Sequence, residues 1–270
     1  MKNFLFVFTT LTAAAVFSGC SQIVSPAPAE PESVIINRTE LPIKVDGYLN
    51  EAAWKDAVCY PLIKHVNWKG APEKTKQRIM QDPLQKGSFR LLYDDKYLYF
   101  GVEFEDSDVI AESAKNQSRL YRTGDLAELF LSPADGHAYF EIYINPAGAY
   151  TFYVFPGGGV AKLPSMFDEN RQFPNIKAAA RVYGTLNNSR DKDTGWHGEI
   201  AVPLKELSAF GTDFVPGTQW RTLAARYNYA VHLRRLQFSG VPFIPAEADY
   251  GEVEYHAPLQ INPVQKKAAK

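Results

Sequence analysis

Two glutamates, Glu128 and Glu141, stand in neighbouring runs of aromatic and β-branched residues. Tyr121 and Arg122 lie shortly before the first, and Tyr139 and Tyr143 flank the second. Carboxylates accept hydrogen bonds from hydroxyl-bearing ligands, a guanidinium donates them, and aromatic rings offer apolar faces, so the set suits a small neutral ligand rich in hydroxyls. Two carboxylates held about 5–10 Å apart across a pocket could instead cleave a glycosidic bond. Phe243 and Trp68 supply two further rings. Trp68 lies near the start of the region 65–88, whose polar, Pro-punctuated part 71–88 lacks clear periodicity and reads as a loop.

These side chains need rigid elements to converge. The runs 124–133, 138–146 and 149–155, separated by Asp-Gly and Pro-Ala-Gly breaks, read as an antiparallel meander. In the second run Ala138, Phe140, Ile142 and Ile144 share one face, and Tyr139, Glu141, Tyr143 and Asn145 share the other. Glu128 sits between Leu126 and Phe130, so its face is partly buried and its charge needs a partner, for which Arg122 is the nearest candidate. Further strands are expected over 34–38, a hairpin 89–93 and 97–105, then 176–186, 194–203, 220–229 and a closing 250–255. A helical turn capped by Asn50 buries Trp54, and another turn follows at 204–207. Trp54, Trp196 and Trp220 have apolar neighbours and belong to a core. Many short strands with hardly any helical periodicity predict an all-β fold of two packed antiparallel sheets.

With 29 basic against 30 acidic residues, the chain has no nucleic-acid footprint. Residues 1–20 carry one Lys, an apolar run and Ser-Gly-Cys, which resembles a bacterial lipoprotein signal with Cys20 as the lipidated residue. The alternative is a plain secretory signal. Ser21 in place of Asp points to the outer membrane or cell surface. Residues 21–33 form a Pro/Ala-rich tether, 34–262 a single domain and 263–270 a solvated tail. Cys59 is expected to be a small buried hydrophobe. Gly157, Gly158 and Gly159 are a break, since no Lys-Ser/Thr pair follows to cradle a phosphate. Asp106 and Asp108 read as an Asx turn rather than a calcium site.

The chain resembles the family 9 carbohydrate-binding modules and their DOMON-like relatives. The matching pieces, in order, are 45–54 (VDGYLNEAAW), 89–99 (FRLLYDDKYLY), 124–130 (GDLAELF), the Tyr/Phe-Glu strand ending in Asn145-Pro-Ala-Gly148, 195–203 (GWHGEIAVP) and Tyr250-Gly251. The resemblance implies a jelly-roll-like β-sandwich and, in sugar-binding members, a terminal sugar clamped between two Trp rings beside a Glu. Glu128 falls on that Glu. The first clamp Trp falls on Arg122 next to Tyr121, the second around Phe243-Ile244, and an Arg of the next strand falls on Glu141. The reading is a non-catalytic glycan-binding module anchored in the cell envelope, with no cofactor required and structural calcium left open. The alternative is a structural or protein-interaction module that has lost sugar affinity. A haem site of the kind some DOMON relatives hold would need a Met and a His; the candidates are Met80, Met166 and His137.

Overall fold

Alternation of large apolar residues with polar ones dominates the elements of the computed structural model, which describes residues 33–156 and 173–263. In chain order the strands are β1 (Val34–Arg38), β2 (Tyr60–Pro61), β3 (Ile63–His65), β4 (Gly87–Tyr93), β5 (Tyr97–Glu105), β6 (Leu126–Pro133) and β7 (Ala138–Ile144). They continue with β8 (Tyr150–Pro156), β9 (Lys177–Tyr183), β10 (Gly195–Pro203), β11 (Trp220–Asn228), β12 (Gln237–Val241) and β13 (Ala257–Asn262). Two short helices, α1 (Glu73–Gln81) and α2 (Leu204–Ser208), complete the set.

The thirteen strands join in the order β8-β7-β6-β11-β13-β1-β4-β5-β10-β9, with β12 hydrogen-bonded to β11 and β3, and β2 to β4. The sheet curls back on itself. Ala127, Leu129, Phe140, Ile142 and Ile144 from one half share a buried cluster with Phe100, Val102, Trp196 and Ile200 from the other. A Cβ at Gly198 of β10 would come 3.4 Å from Ile144 of β7. The result is a β-sandwich, as the alternation predicts, closed through β13 and β1.

Five features depart from the sequence reading. β1 runs parallel to both β13 and β4, so the sheet is mixed rather than purely antiparallel. The closing strand is β13, while Val253–Tyr255 within the expected strand is a helical turn. Segment 71–88 contains α1, which buries none of its side chains and so shows no apolar stripe; Glu, Lys, Gln, Arg and Met make it helical by propensity. The turn carrying Trp54 spans Ala52–Asp56 without a side-chain cap from Asn50. It is pinned instead by Glu199 of β10, which accepts Trp54 Nε1–H at 2.9 Å and the N–H groups of Asp46 and Gly47 at 2.8 and 2.6 Å. Cys59 is exposed, because it falls on the outward side between that turn and β2. Residues 1–32, including Cys20, and the glycines at 157–159 lie outside the described residues.

Asp106 and Asp108 are structural. The Asp108 N–H donates to Asp106 Oδ1 at 3.1 Å, forming the expected Asx turn. Asp106 also pairs with buried Arg226 at 3.0 Å, and Asp108 Oδ2 accepts the Val231 N–H at 2.9 Å. No group of three or more His, Cys, Asp or Glu among the described residues is placed to hold a metal ion.

Candidate functional site

The face of β6 turned away from the main core carries Leu126, Glu128 and Phe130, and the register of the neighbouring strands decides what surrounds them. Glu128 pairs with Tyr143 of β7 on one side and with Ala225 of β11 on the other. Glu141 faces Phe130, two residues along from Glu128's partner, so the two glutamates are diagonal neighbours with backbones roughly 7–8 Å apart. Tyr153 of β8 lies opposite Glu141. The outer face over Glu128, Glu141 and Tyr153 borders an open space.

That space is a cavity of about 330 Å³ lined by Glu128, Glu141, Tyr143, Tyr153, Phe155 and Tyr227, with Tyr121 and Arg119 at its edge. Glu128 is 1% exposed, and its Oε2 makes no hydrogen bond among the described residues. Burial, then the charge of Glu141, holds the Glu128 carboxyl well above the usual carboxylate range, with Tyr143 pulling the other way. Glu141 accepts the Tyr143 hydroxyl and is itself raised by burial. The charge of Glu128, followed by burial, drives the Tyr227 hydroxyl strongly upward, and burial followed by Glu128 does the same to Tyr250. The site thus contains a buried acceptor without a partner, a second carboxyl and a wall of rings.

Four sequence candidates converge here: Tyr121, Glu128, Glu141 and Tyr143. Four do not line the cavity. Arg122 is exposed with its guanidinium 5.3 Å from the centre of the Tyr121 ring, and it makes no ion pair with Glu128 among the described residues. The helical turn Leu120–Arg122 buries Leu120, rotates Arg122 outward and leaves Arg119 at the cavity edge. Tyr139 is buried beneath the site, stacked on Phe130 at 6.1 Å. Phe243 packs edge-on against His65 at 5.5 Å. Trp68, 53% exposed, stands on the loop after β3. Tyr153, Phe155 and Tyr227 are not among the sequence candidates, although the alternation of β8 puts 151, 153 and 155 on one face; the pairing of β8 with β7 and of β11 with β6 is what brings them to the site. Met80 is exposed on α1, His137 sits beside Asp135 at 3.5 Å, and Met166 lies outside the described residues.

Three larger concavities lie elsewhere among the described residues. One of about 570 Å³ is lined by residues 86–88, 103–105 and 195, with Tyr183, Thr194 and His197; a second, of about 540 Å³, lies between α1 and the segment 232–238; a third, of about 440 Å³, lies between residues 217–221 and 258–261. In the first two Glu103 pairs with Arg90, Lys64 donates to the Ile79 carbonyl at 3.1 Å and Arg235 pairs with Asp82 at 3.3 Å; in the third Arg221 donates to the His256 carbonyl at 2.8 Å. None of the three has, among the described residues, a buried carboxyl oxygen that lacks both a hydrogen bond and an ion pair: Asp82 Oδ2 in the second makes no hydrogen bond but faces the Arg235 guanidinium.

His65 supports the site from behind. Its Nε2 accepts the Ile244 N–H at 3.3 Å, so the proton of the neutral ring sits on Nδ1 and points to the Tyr250 hydroxyl at 3.2 Å. Burial lowers its pKa to about 4. An unfolded His near 6.5 takes up a proton before the folded one does, so this contribution is complete above about pH 6.5 and is lost as pH falls toward 4. The shift corresponds to about 3 kcal/mol. Urea unfolding at both ends of that window should show His65→Gln losing about that much less stability on acidification than the wild type. Parallel losses would mean His65 protonates freely in the folded protein.

The family model described as carbohydrate family 9 binding domain-like matches residues 45–217. A solved structure from Bacteroides uniformis ATCC 8492, described as carbohydrate-binding, is similar at 14% identity and a TM-score of 0.62, over 85% of this chain and 99% of that one. A family 9 module from Caldicellulosiruptor kristjanssonii in complex with cellotriose aligns at 10% identity and a TM-score of 0.52, over 88% and 97% of the two chains. The same organism's family 9 module in complex with glucose aligns at 11% identity and a TM-score of 0.51, over 87% and 100%. At these identities the structural likeness establishes the fold. No curated protein sequence matches the chain.

Proposed function

The chain belongs to the carbohydrate family 9 binding domain-like family, and from that premise we propose that the cavity at Glu128 binds a carbohydrate without cleaving it. The observation that carries this reading is the buried Glu128 Oε2, which lacks a hydrogen-bond partner among the described residues and lines a cavity walled by rings. A buried carboxyl left unsatisfied is costly, and a ligand hydroxyl would satisfy it. Tyr143, Tyr153, Phe155 and Tyr227 supply aromatic surface for the apolar C–H face of a sugar. About 330 Å³ is at the small end of ligand pockets, which favours one sugar unit or a chain end over a long stretch. The relatives solved with cellotriose and glucose make neutral glucans a reasonable first probe.

The test is a glycan array with the purified protein, followed by calorimetric titration of whatever binds. Saturable binding to at least one glycan is the expected result, and a blank array with folded protein would remove the assignment.

The same reading includes an anchor. Lipid on Cys20, followed by the tether at 21–33, would hold the domain at the outer membrane or cell surface, where glycans are encountered. Stable attachment of this kind takes two acyl signals. Cys20→Ser should move the protein from the membrane fraction to the soluble exported fraction. Unchanged fractionation would leave a plain secretory signal or another mode of attachment.

A further inference from the structure

Charge is the property that sets this cavity apart. Glu128 and Glu141 both line it, Arg119 is exposed at its edge, and the other lining residues are Tyr121, Tyr143, Tyr153, Phe155 and Tyr227. A neutral sugar can hydrogen-bond to either carboxyl, yet it supplies no counter-charge for two carboxyls held in one small, buried space. An ammonium group meets every demand of such a space. It donates up to three hydrogen bonds, makes them charge-assisted, neutralises the repulsion between the carboxylates and is attracted to aromatic faces.

Resting on the carbohydrate reading of this same cavity, we propose that its preferred ligand is an amino sugar with a free ammonium group, the nitrogen held between Glu128 and Glu141 and the ring against the tyrosines. Glu141 already accepts the Tyr143 hydroxyl, which orients it, while Glu128 Oε2 has the unmet capacity. Burial, joined at Glu128 by the charge of Glu141, makes the pair hold a proton more readily than ordinary carboxyls. The incoming ammonium takes the place of that proton, and binding releases it. Among the described residues, the hydroxyls facing the pair carry no charge that would take this role. Tyr139, Tyr143, Tyr227 and Tyr250 are all pushed upward by burial and by the glutamates, so they stay neutral, and Arg119 is exposed at the cavity edge.

Three β-1,4-linked trimers that differ only at carbon 2 test the proposal: the glucosamine trimer (ammonium), the N-acetylglucosamine trimer (acetamide) and cellotriose (hydroxyl). Titrated into the wild-type protein near pH 6.5, where a sugar amine carries its proton, the glucosamine trimer should bind about tenfold more tightly than cellotriose. The preference should fall to near parity in Glu141→Gln, with the melting temperature checked in parallel. Repeating the titration in buffers of different ionisation enthalpy should reveal the released proton. Equal or tighter binding of cellotriose by the wild type overturns the amino-sugar assignment and leaves carbohydrate binding in place. Binding of none of the trimers, with a neutral glycan bound on the array, overturns it equally. A blank array removes the underlying reading as well.

Discussion

Trp196→Ala should lower the free energy of unfolding by about 3–5 kcal/mol, the usual cost of emptying a fully buried Trp site. Trp196 is 0% exposed on β10, a strand hydrogen-bonded along its length to β5 and β9. Its ring meets Phe104 edge-on at 5.0 Å and lies over Gly198, where an added Cβ would come 3.0 Å from the indole. Its Nε1 makes no hydrogen bond among the described residues, so its contribution is packing, and Trp196→Phe should recover most of the loss. Trp54 and Trp220 belong to the same buried class. Trp68, exposed on its loop, should change stability by no more than about 0.5 kcal/mol when replaced by Ala. Denaturant midpoints for the Trp68 and Trp196 variants decide the matter. Similar losses at both positions would show that the loop after β3 is part of the core.

Glu128 carries the second large effect, and here the readout is affinity. Glu128→Ala should weaken binding of the cognate glycan by roughly tenfold to a hundredfold, the equivalent of losing a hydrogen bond to a charged group worth about 1.5–3 kcal/mol. Glu128→Gln keeps the shape, removes the repulsion with Glu141 and should melt at or above the wild-type temperature while still losing affinity. That combination separates a ligand contact from a structural one. A Gln variant that unfolds readily, from a wild type that binds no glycan, would sink the site and leave a structural module standing. The removal of a like charge explains why stability should hold. Glu128 is raised above the ordinary carboxylate range, so folding is favoured while it is protonated and this contribution fades as pH rises through its folded pKa.

Local alternation was sufficient to place several of the site residues. Because the side-chain period of a strand is two, the order of residues over 138–144 by itself put Glu141 and Tyr143 on the face opposite Phe140 and Ile142, and over 126–133 put Glu128 on the face of Leu126 and Phe130. The same rule, applied to apolar neighbours, identified Trp196 and Trp220 as core. The ordered set of short family motifs added the fold. What local pattern cannot contain is which strands meet and in what register. Only the pairing of β6 with β11 brings Ala225 and Tyr227 beside Glu128, and only the pairing of β7 with β8 brings Tyr153 to Glu141. Arg122 had the right chemistry at the right distance in sequence, and one helical turn at Leu120–Arg122 turned it to solvent and left Arg119 at the cavity edge. Trp68 and Phe243 are rings in loops, whose paths depend on contacts made far along the chain, such as Lys69 with Glu252 at 3.5 Å and Phe243 with His65. The residues and their faces follow from short-range geometry; their convergence into one cavity follows from long-range closure of the sheet, whose parallel seam of β1 with β13 and β4 joins the two ends of the described chain.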